Sequence, residues 1–503
     1  MTLVRTYAIL WVKLMNIRPV SEWTSYKYRF WVAYLLLAAL VGLSITLYST
    51  LVPPGLGPSE RQSIISSATI VFTEMPTAIV DLPYHILQKF SVEFLGVTPF
   101  GVRLPSMIIG SLTAIFVLLI LRRWMPNNIA IIAGIIVLTS GWFIGVSRLG
   151  APFIMIPFWS SLILLAATYI SQQTPHWKGW KVVMAFAAAL SLYTPFSIYL
   201  FLAAIIAAIA QPHLRYLIRQ SSSFHLTVGT LLFLLVLAPL GWGLYKDPSQ
   251  AWSLLAIPAQ LPDPLQFLKD LFHALSGLVN PFNVSFGEFM TPLISVVSAF
   301  LLGIGVLRLL RDFHAVRAYV LLIWGAVLIP IIGLNPNNLM ILMVPIMLGL
   351  AIGLQPILRY WYKLFPLNPY ARVFGLIPLT LLVLALVQFN DQRYTFGMIY
   401  SEGAKKTFST DAFLAQNTLN KLDPASPTTV VVTENELPLY RLVAKDRPNT
   451  VVTSPAQAVL GPGTWVVAED QLATMTAPPA PQASEVVVND NKDNALRFRV
   501  FQR

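Results

Sequence analysis

The residues of this chain that could do chemistry gather in one stretch. Between Leu51 and Leu104, a polar and irregular segment wedged between two long apolar runs, lie Glu60, Glu74, Asp81, His85 and Glu93. A carboxylate so placed can take a proton from a hydroxyl or hold a cation, and a histidine can join either task. The bland alternatives are equally physical. Glu60 in a first helical turn would complement the helix dipole, Glu74 and Asp81 would be solvated loop acids, and His85 would be packed or solvated. What decides between them is the set of elements that positions the stretch.

With 56% hydrophobic and 11% charged residues among 503 and a mean hydropathy of +0.67, the chain is too apolar for a soluble globular protein. Apolar runs of about 20 residues recur, the length a helix needs to cross roughly 30 Å of hydrocarbon. Runs near 31–52, 103–121, 127–146, 152–171, 180–193, 195–211, 225–245, 291–308, 318–334, 339–358 and 373–390 suggest about eleven crossings. The net charge of +12 does not point to nucleic acid, because the basic residues sort by loop. Arg5, Lys13, Arg18, Lys27 and Arg29, then Arg122 and Arg123, Lys178 and Lys181, Arg215 and Arg219, Arg308, Arg311 and Arg317, and Arg359, Lys363 and Arg372 fall on one side. Only Glu22 and Asp312 accompany them there. By the positive-inside rule that side, with the N-terminus, is cytoplasmic, and the basic residues serve topology and contact with membrane lipids. Cysteine is absent, so disulfides, thiolate metal sites and cysteine nucleophiles drop out.

Taken in order, the chain opens with TYAILWVKLM, too short to span and more consistent with an interfacial helix than with a signal peptide. After the first span, Pro53, Pro54, Gly55, Gly57 and Pro58 stop the helix. Ser59 then caps a surface helix with Glu60 in its first turn, and a second surface helix follows Pro83 with Ile86, Leu87, Phe90 and Phe94 on one face. The fifth and sixth runs are short and meet at Tyr193, Thr194 and Pro195, as helices that line a cavity do. The loop from Lys246 to Thr291 carries an apolar stripe at Phe267, Leu268, Leu271, Phe272 and Leu275, a helix that could cover the site as a lid. After Asn390 short apolar runs replace the long ones. Residues 428–435, 449–454 and 464–470 read as strands, 436–445 as a short helix, 485–503 as a closing hairpin around a turn at Asn489 to Asp493, and Ala477 to Pro481 as a connector. The expectation is a polytopic α-helical membrane domain over 1–390, with the candidate site in 53–102, and an α/β extracytoplasmic domain over 391–503.

The first 220 residues resemble the GT-C class of membrane glycosyltransferases, in the branch of protein mannosyltransferases and aminoarabinose transferases. The pieces occur in order: Ser59-Glu60, Asp81-Leu82-Pro83-Tyr84-His85, Gly96, Arg103-Leu104-Pro105-Ser106 with Gly110, Ser147-Arg148, and Leu192-Tyr193-Thr194-Pro195. The resemblance implies transfer of a sugar from a polyprenyl-phosphate donor to a protein, glycan or lipid acceptor at the outer face of the cytoplasmic membrane. It implies an acid pair as base, often with a divalent metal, here Glu60 with Asp81 as second candidate and Glu60 with His85 as metal ligands. It implies cationic groups on the leaving phosphate, for which Arg148 and Arg103 suit because a guanidinium matches phosphate bidentately, with Tyr193 beside them. Two positions depart from the pattern. Ser59 stands where the first acid belongs and cannot act as a carboxylate base, and Asn337 and Asn338 stand where a basic residue is common. Three classes of function stay open on the residues: a glycosyltransferase, a non-catalytic relative that binds lipid-linked glycan, and a transporter. Against the transporter, no clear carboxylate lies inside an apolar run.

Overall fold

The structure, a computed structural model, describes residues 24–47, 49–70, 78–173, 177–212, 215–216, 223–258, 260–279, 288–289, 292–364, 369–458, 462–475, 484–487 and 498–502. The expected interfacial helix at residues 6–15, Glu74, the Ala477–Pro481 connector and the Asn489–Asp493 turn lie outside them.

Every apolar run named above carries a helix: α1 Thr24–Thr46, α4 Pro99–Trp124, the pair α5 Asn127–Leu138 and α6 Gly141–Arg148, α7 Met155–Ser171, α8 Trp177–Ser191, α9 Ser197–Ala210, α10 Ser223–Lys246, α13 Val296–Arg311, α14 Val316–Leu334, α15 Met343–Leu364 and α16 Pro369–Tyr400. Among the described residues, six are long and apolar enough to cross a membrane. The expected third span is not one straight helix. It is broken between Leu138 and Gly141 and bent by 59°, because Ser140 takes an extended backbone and its hydroxyl accepts from the Phe143 N–H, capping a new helix. The bend delivers Arg148 and the Leu149–Ala151 turn into the interior, beside the start of α4.

Between α1 and α4 run α2 Pro58–Ala68 and α3 Leu82–Leu95, both at the positions expected from Pro58 and Pro83. Their buried sides pack on the start of α4 and on the C-terminal region: Leu56, Ile64, Val92, Val97 and Val102 share one core with Ala415, Leu419, Val430, Leu439, Tyr440 and Val466. Leu56 and Ser409 exchange backbone hydrogen bonds, and Arg61 pairs with Glu436 at 3.2 Å. The expected boundary at residue 390 is crossed by α16, whose 32 residues extend about 48 Å. In the segment after α10, α11 Gln250–Leu255 and α12 Pro264–Gly277 appear. The α12 stripe is only partly covered: Phe267 lies so close to Gly333 that a Cβ there would strike its ring, whereas Leu268 and Phe272 are exposed.

Beyond α17 Glu402–Thr407 and α18 Asp411–Lys421, the strands β1 Thr428–Val431, β2 Thr450–Thr453, β3 Thr464–Ala468, β4 Ser484–Val487 and β5 Phe498–Gln502 form one sheet in the order β2-β1-β3-β5-β4. The first three pair in parallel and β4 and β5 in antiparallel fashion. The parallel β1–β2 pair needs a crossover, which α19 Leu437–Val443 supplies. All five residues of β3 are buried, as a central strand covered on both faces must be.

Candidate functional site

Glu60 and Arg103 are the hub of the polar interior. Pro58 opens α2 with its fixed φ, and Glu60, two residues on, reaches back to accept from the Gly57 N–H at 2.9 Å. Arg103 lies in the second turn of α4, and its Nε and Nη2 donate to the two carboxylate oxygens of Glu60 at 2.9 and 3.2 Å. The remaining Arg103 donors go to the carbonyls of Ser49 (2.6 Å), Pro53 (2.9 Å) and Gly55 (2.6 Å). The Gly150 N–H gives Glu60 its fourth hydrogen bond at 2.7 Å. A Cβ at Gly150 would lie 2.9 Å from the Val102 carbonyl oxygen and 3.1 Å from Glu60 Oε1, so this approach requires glycine. Both side chains are 0% exposed. The guanidinium has five donors and the carboxylate about four acceptor sites, and all are used. The pair joins the end of α1, the cis-proline turn at Pro53, the start of α2, α4 and the turn after α6. Its geometry is that of a tie between elements. It leaves Glu60 no lone pair for a substrate proton or a metal, and Arg103 no donor for a phosphate.

A second polar layer stands on α3. Asp81 precedes it with φ +53°, in the left-handed region that aspartate tolerates better than most residues. Its N–H donates to the Tyr193 carbonyl at 2.8 Å. Asp81 is buried, and its Oδ1 has no hydrogen-bond partner. Desolvation raises its pKa well above the ordinary carboxylate value, against a hydrogen bond with Thr194 that lowers it. Tyr84 bonds Ser106 at 2.7 Å and lies within electrostatic range of both Glu60 and Asp81. His85 is buried with Nδ1 3.4 Å from the Ser63 hydroxyl, and desolvation pulls its pKa down to about 4, so the ring is neutral near pH 7. Ser63 also donates to Gln88 Oε1 at 2.6 Å, and Gln88 Nε2 donates to the Gly150 carbonyl at 2.8 Å. This chain of bonds ties α2 and α3 to the same Gly150 turn that holds Glu60.

Arg148 is 2% exposed. One of its Nη groups donates to the Ser44 carbonyl, and its guanidinium lies 5.4 Å from the centre of the Tyr394 ring. Its Nε and Nη1 have no hydrogen-bond partner. Tyr193 is bonded to the backbone of α10. Its hydroxyl accepts from the Leu240 N–H at 3.0 Å and donates to the Val236 carbonyl at 2.7 Å. It thus stands inside the hydrogen-bond ladder of α10, next to Pro239, where a proline interrupts the helix and a side chain can insert. With its proton and one lone pair used, the Tyr193 hydroxyl ties the turn between α8 and α9 to α10.

One carboxylate of this site escapes sequence reasoning. Glu288, from the segment between α12 and α13, accepts from the Ser59 N–H at 2.7 Å, and its other oxygen bonds the Ser59 hydroxyl. It is only half-buried. Burial, the main cause, and the neighbouring Glu60 charge raise its pKa, while the Ser59 bonds and Arg61 oppose them. Nothing in NPFNVSFGEFM links this glutamate to a serine 229 residues earlier. The one sequence feature that bears on it is the apolar stripe from Phe267 to Leu275 in the same loop, a helix expected to be able to cover the site.

The expected metal ligands do not fit a metal. Glu60 has no free oxygen lone pair, and no group of three or more histidine, aspartate or glutamate side chains that could hold a metal comes together among the described residues.

Similarity to known proteins agrees with this architecture. A family model described as dolichyl-phosphate-mannose-protein mannosyltransferase matches residues 83–242, which include Asp81's neighbours on α3, Arg103, Arg148 and Tyr193. The apo crystal structure of ArnT from Cupriavidus metallidurans is similar at a TM-score of 0.58 and 16% identity, covering 93% of this chain and 98% of that one. The same protein bound to undecaprenyl phosphate matches at 0.55 and 16%, covering 93% and 97%. The oligosaccharyltransferase of Archaeoglobus fulgidus tethered to an acceptor peptide matches at 0.52 and 12%, covering 87% of this chain and 65% of that one. No curated protein matches in sequence. The chain therefore has the fold of the GT-C class of membrane glycosyltransferases and resembles, over residues 83–242, the branch that holds the protein mannosyltransferases.

Proposed function

We propose that the protein moves a sugar from a polyprenyl-phosphate donor to a hydroxyl of a protein, glycan or lipid acceptor, with its N-terminus cytoplasmic and the α2–α3 layer and the C-terminal sheet on the outer side. The observation that carries this reading is the buried Arg148 with two unpartnered donor nitrogens, in a fold that resembles ArnT bound to undecaprenyl phosphate. An anion with several acceptor oxygens satisfies those donors, and a neutral ligand does not replace the missing charge.

In the reaction, the acceptor oxygen forms a bond to the anomeric carbon of the sugar as the bond from that carbon to the phosphate oxygen breaks. The phosphate leaves with the electron pair, and Arg148 offsets the charge that develops on it. The acceptor proton passes to Glu288, which among the described carboxylates of this site is the one that is partly accessible and already aligned by two Ser59 bonds. Glu288 thus brings a carboxylate to the position where Ser59 departs from the family pattern. Asp81, with its raised proton affinity, is the second acid, and Glu60 with Arg103 fixes the frame. No step passes through a metal, because the expected ligands do not fit one.

The test is transfer of a radiolabelled sugar from lipid-linked donors in membranes holding the full chain, beside direct binding of polyprenyl phosphate. The proposal expects both, and Arg148→Ala should weaken the binding about 10- to 100-fold with the protein folded. Binding without transfer from any donor would favour the non-catalytic relative, and the absence of both binding and transfer would overturn the reading.

A further inference from the structure

At the end of the bundle away from Glu60 the structure encloses a second space. Arg103 and Arg123 lie on the same helix, α4, and their spacing puts them about 30 Å apart. Around Arg123 opens a cavity of about 870 Å³ among α4, α7, α8, α9, α10 and α14. It follows α7 from Ser160 to Gln172, about 18 Å along the axis.

Three of its lining side chains are cationic, Arg123, Lys181 and Arg317, and no carboxylate lines it among the described residues. All three sit at one end, since Arg123 is in the last turn of α4 and Arg317 in the first turn of α14. Among their contacts, the Arg123 guanidinium lies over the Tyr169 ring at 4.6 Å, Lys181 over Trp177 at 4.3 Å, and Arg317 Nη1 donates to the Trp124 carbonyl at 2.9 Å, with Asp312, outside the lining, within electrostatic range of Arg317. The rest of the wall is mostly aliphatic, alanine or aromatic, with Ser160, Thr168, Ser171, Gln172 and Thr230 as its neutral polar residues. The Ser160 and Thr168 hydroxyls bond carbonyls of their own helix, whereas one deep polar atom of the described lining is left without a partner. Trp324 is 5% exposed, lines the cavity, and its Nε1–H has no partner. It lies two turns into α14 from Arg317, about 10 Å deeper.

A cationic rim, an apolar shaft and one buried N–H donor below the rim are complementary to a single kind of molecule. We infer that this cavity binds an anionic diacyl phospholipid, its phosphate among Arg123, Lys181 and Arg317, an ester carbonyl accepting from the Trp324 N–H, and an acyl chain in the shaft. The carbonyl separates it from a polyprenyl phosphate, whose hydrocarbon chain offers Trp324 no acceptor. The site does not depend on the transferase reading, because its cationic rim lies about 30 Å along α4 from Arg103 and its lining includes none of the groups assigned to transfer.

The test uses the purified full chain, stripped of lipid in a neutral detergent and titrated with phosphatidylglycerol, phosphatidylcholine or undecaprenyl phosphate of matched solubility. Binding is read by native mass spectrometry and by the shift in melting temperature. Phosphatidylglycerol should bind at least tenfold more tightly than phosphatidylcholine and raise the melting temperature. The double variant Arg123→Gln with Arg317→Gln should remove that preference. Ala204→Trp, which fills the shaft and leaves the charges, should weaken phosphatidylglycerol binding by a similar factor, and Trp324→Phe should weaken it several-fold. Equal binding of the two phospholipids, or unaltered binding by folded Arg123→Gln/Arg317→Gln protein, overturns the inference. Tighter binding of undecaprenyl phosphate than of phosphatidylglycerol at this cavity, lost in Ala204→Trp, overturns the choice of a diacyl lipid.

Discussion

Glu60 and Arg103 form an ion pair, and Arg148 and Asp81 are two further ionisable groups of the same polar interior; all four are buried but they are unequally satisfied. Every donor and acceptor of the first pair is used, on backbone from five places in the chain or on each other. In the second set, Arg148 keeps two donors and Asp81 one oxygen without partners. Burial is common to both, so burial does not separate structure from function here. Satisfaction does: a saturated buried ion pair fixes a frame, whereas buried groups left unpaired cost free energy that a ligand can recover.

The largest effect is expected from breaking the satisfied pair. Glu60→Gln or Arg103→Gln leaves the partner charge buried and uncompensated, which costs about 3–5 kcal/mol. The measurement is the melting temperature and detergent-extracted yield of each variant. Because the loss comes from the orphaned partner, Glu60→Gln combined with Arg103→Met should melt higher than Arg103→Gln alone. A Glu60→Gln protein that melts like the parent and loses only transfer would return Glu60 to the chemistry.

Arg148 should behave in the opposite way. Arg148→Met removes a charge that has little hydrogen bonding to lose, so the fold should survive while polyprenyl phosphate binding falls by about 1.5–3 kcal/mol. A folded variant that binds the phosphate as the parent does would make Arg148 a second structural group.

The contrast also explains what could be read in advance. The two loop helices were legible because Pro58 and Pro83 open them and their apolar residues recur at helical spacing. The sheet was legible from its short apolar runs, and the order of its strands was not, because pairing is made by tertiary contact. Proximity of Glu60, Asp81, Arg103 and Arg148 was implied by the family resemblance. The division of labour among them was not, because it depends on backbone carbonyls at Ser49, Pro53 and Gly55 and on the Gly150 N–H, none of which has a sequence signal. The break at Ser140 was hidden inside an apolar run of ordinary span length, and the insertion of Tyr193 beside Pro239 joins two helices that the sequence keeps apart.

Smaller effects sharpen the comparison through pH. Asp81 and His85 both lie outside the spanning helices, and burial favours the neutral form of each. The histidine, with its folded pKa down to about 4 from 6.5, contributes stability that is present above about pH 6.5 and lost as pH falls toward 4, up to about 3 kcal/mol. The aspartate, with its folded pKa raised above 3.8, has the opposite sign, and stability is lost as pH rises through its folded value. His85→Gln should therefore gain on the parent in melting temperature as pH drops below 6.5, and Asp81→Asn should gain as pH rises. Parallel melting curves across that range would contradict these surroundings. Tyr193→Phe should do least, about 1–3 kcal/mol from the unsatisfied Val236 and Leu240 groups, with transfer preserved. Loss of transfer at unchanged melting temperature would instead place its hydroxyl on a substrate.

The most direct test of the account is the transfer rate of Glu288→Gln beside the parent, in membranes with equal amounts of folded protein. Glu288→Gln keeps a group able to accept from the Ser59 N–H and removes the base. The account predicts a rate lower by about 10²–10⁴ with the melting temperature and polyprenyl phosphate binding of the parent. Transfer at the parent rate by Glu288→Gln would contradict it, since no other carboxylate described at this site is both partly accessible and aligned.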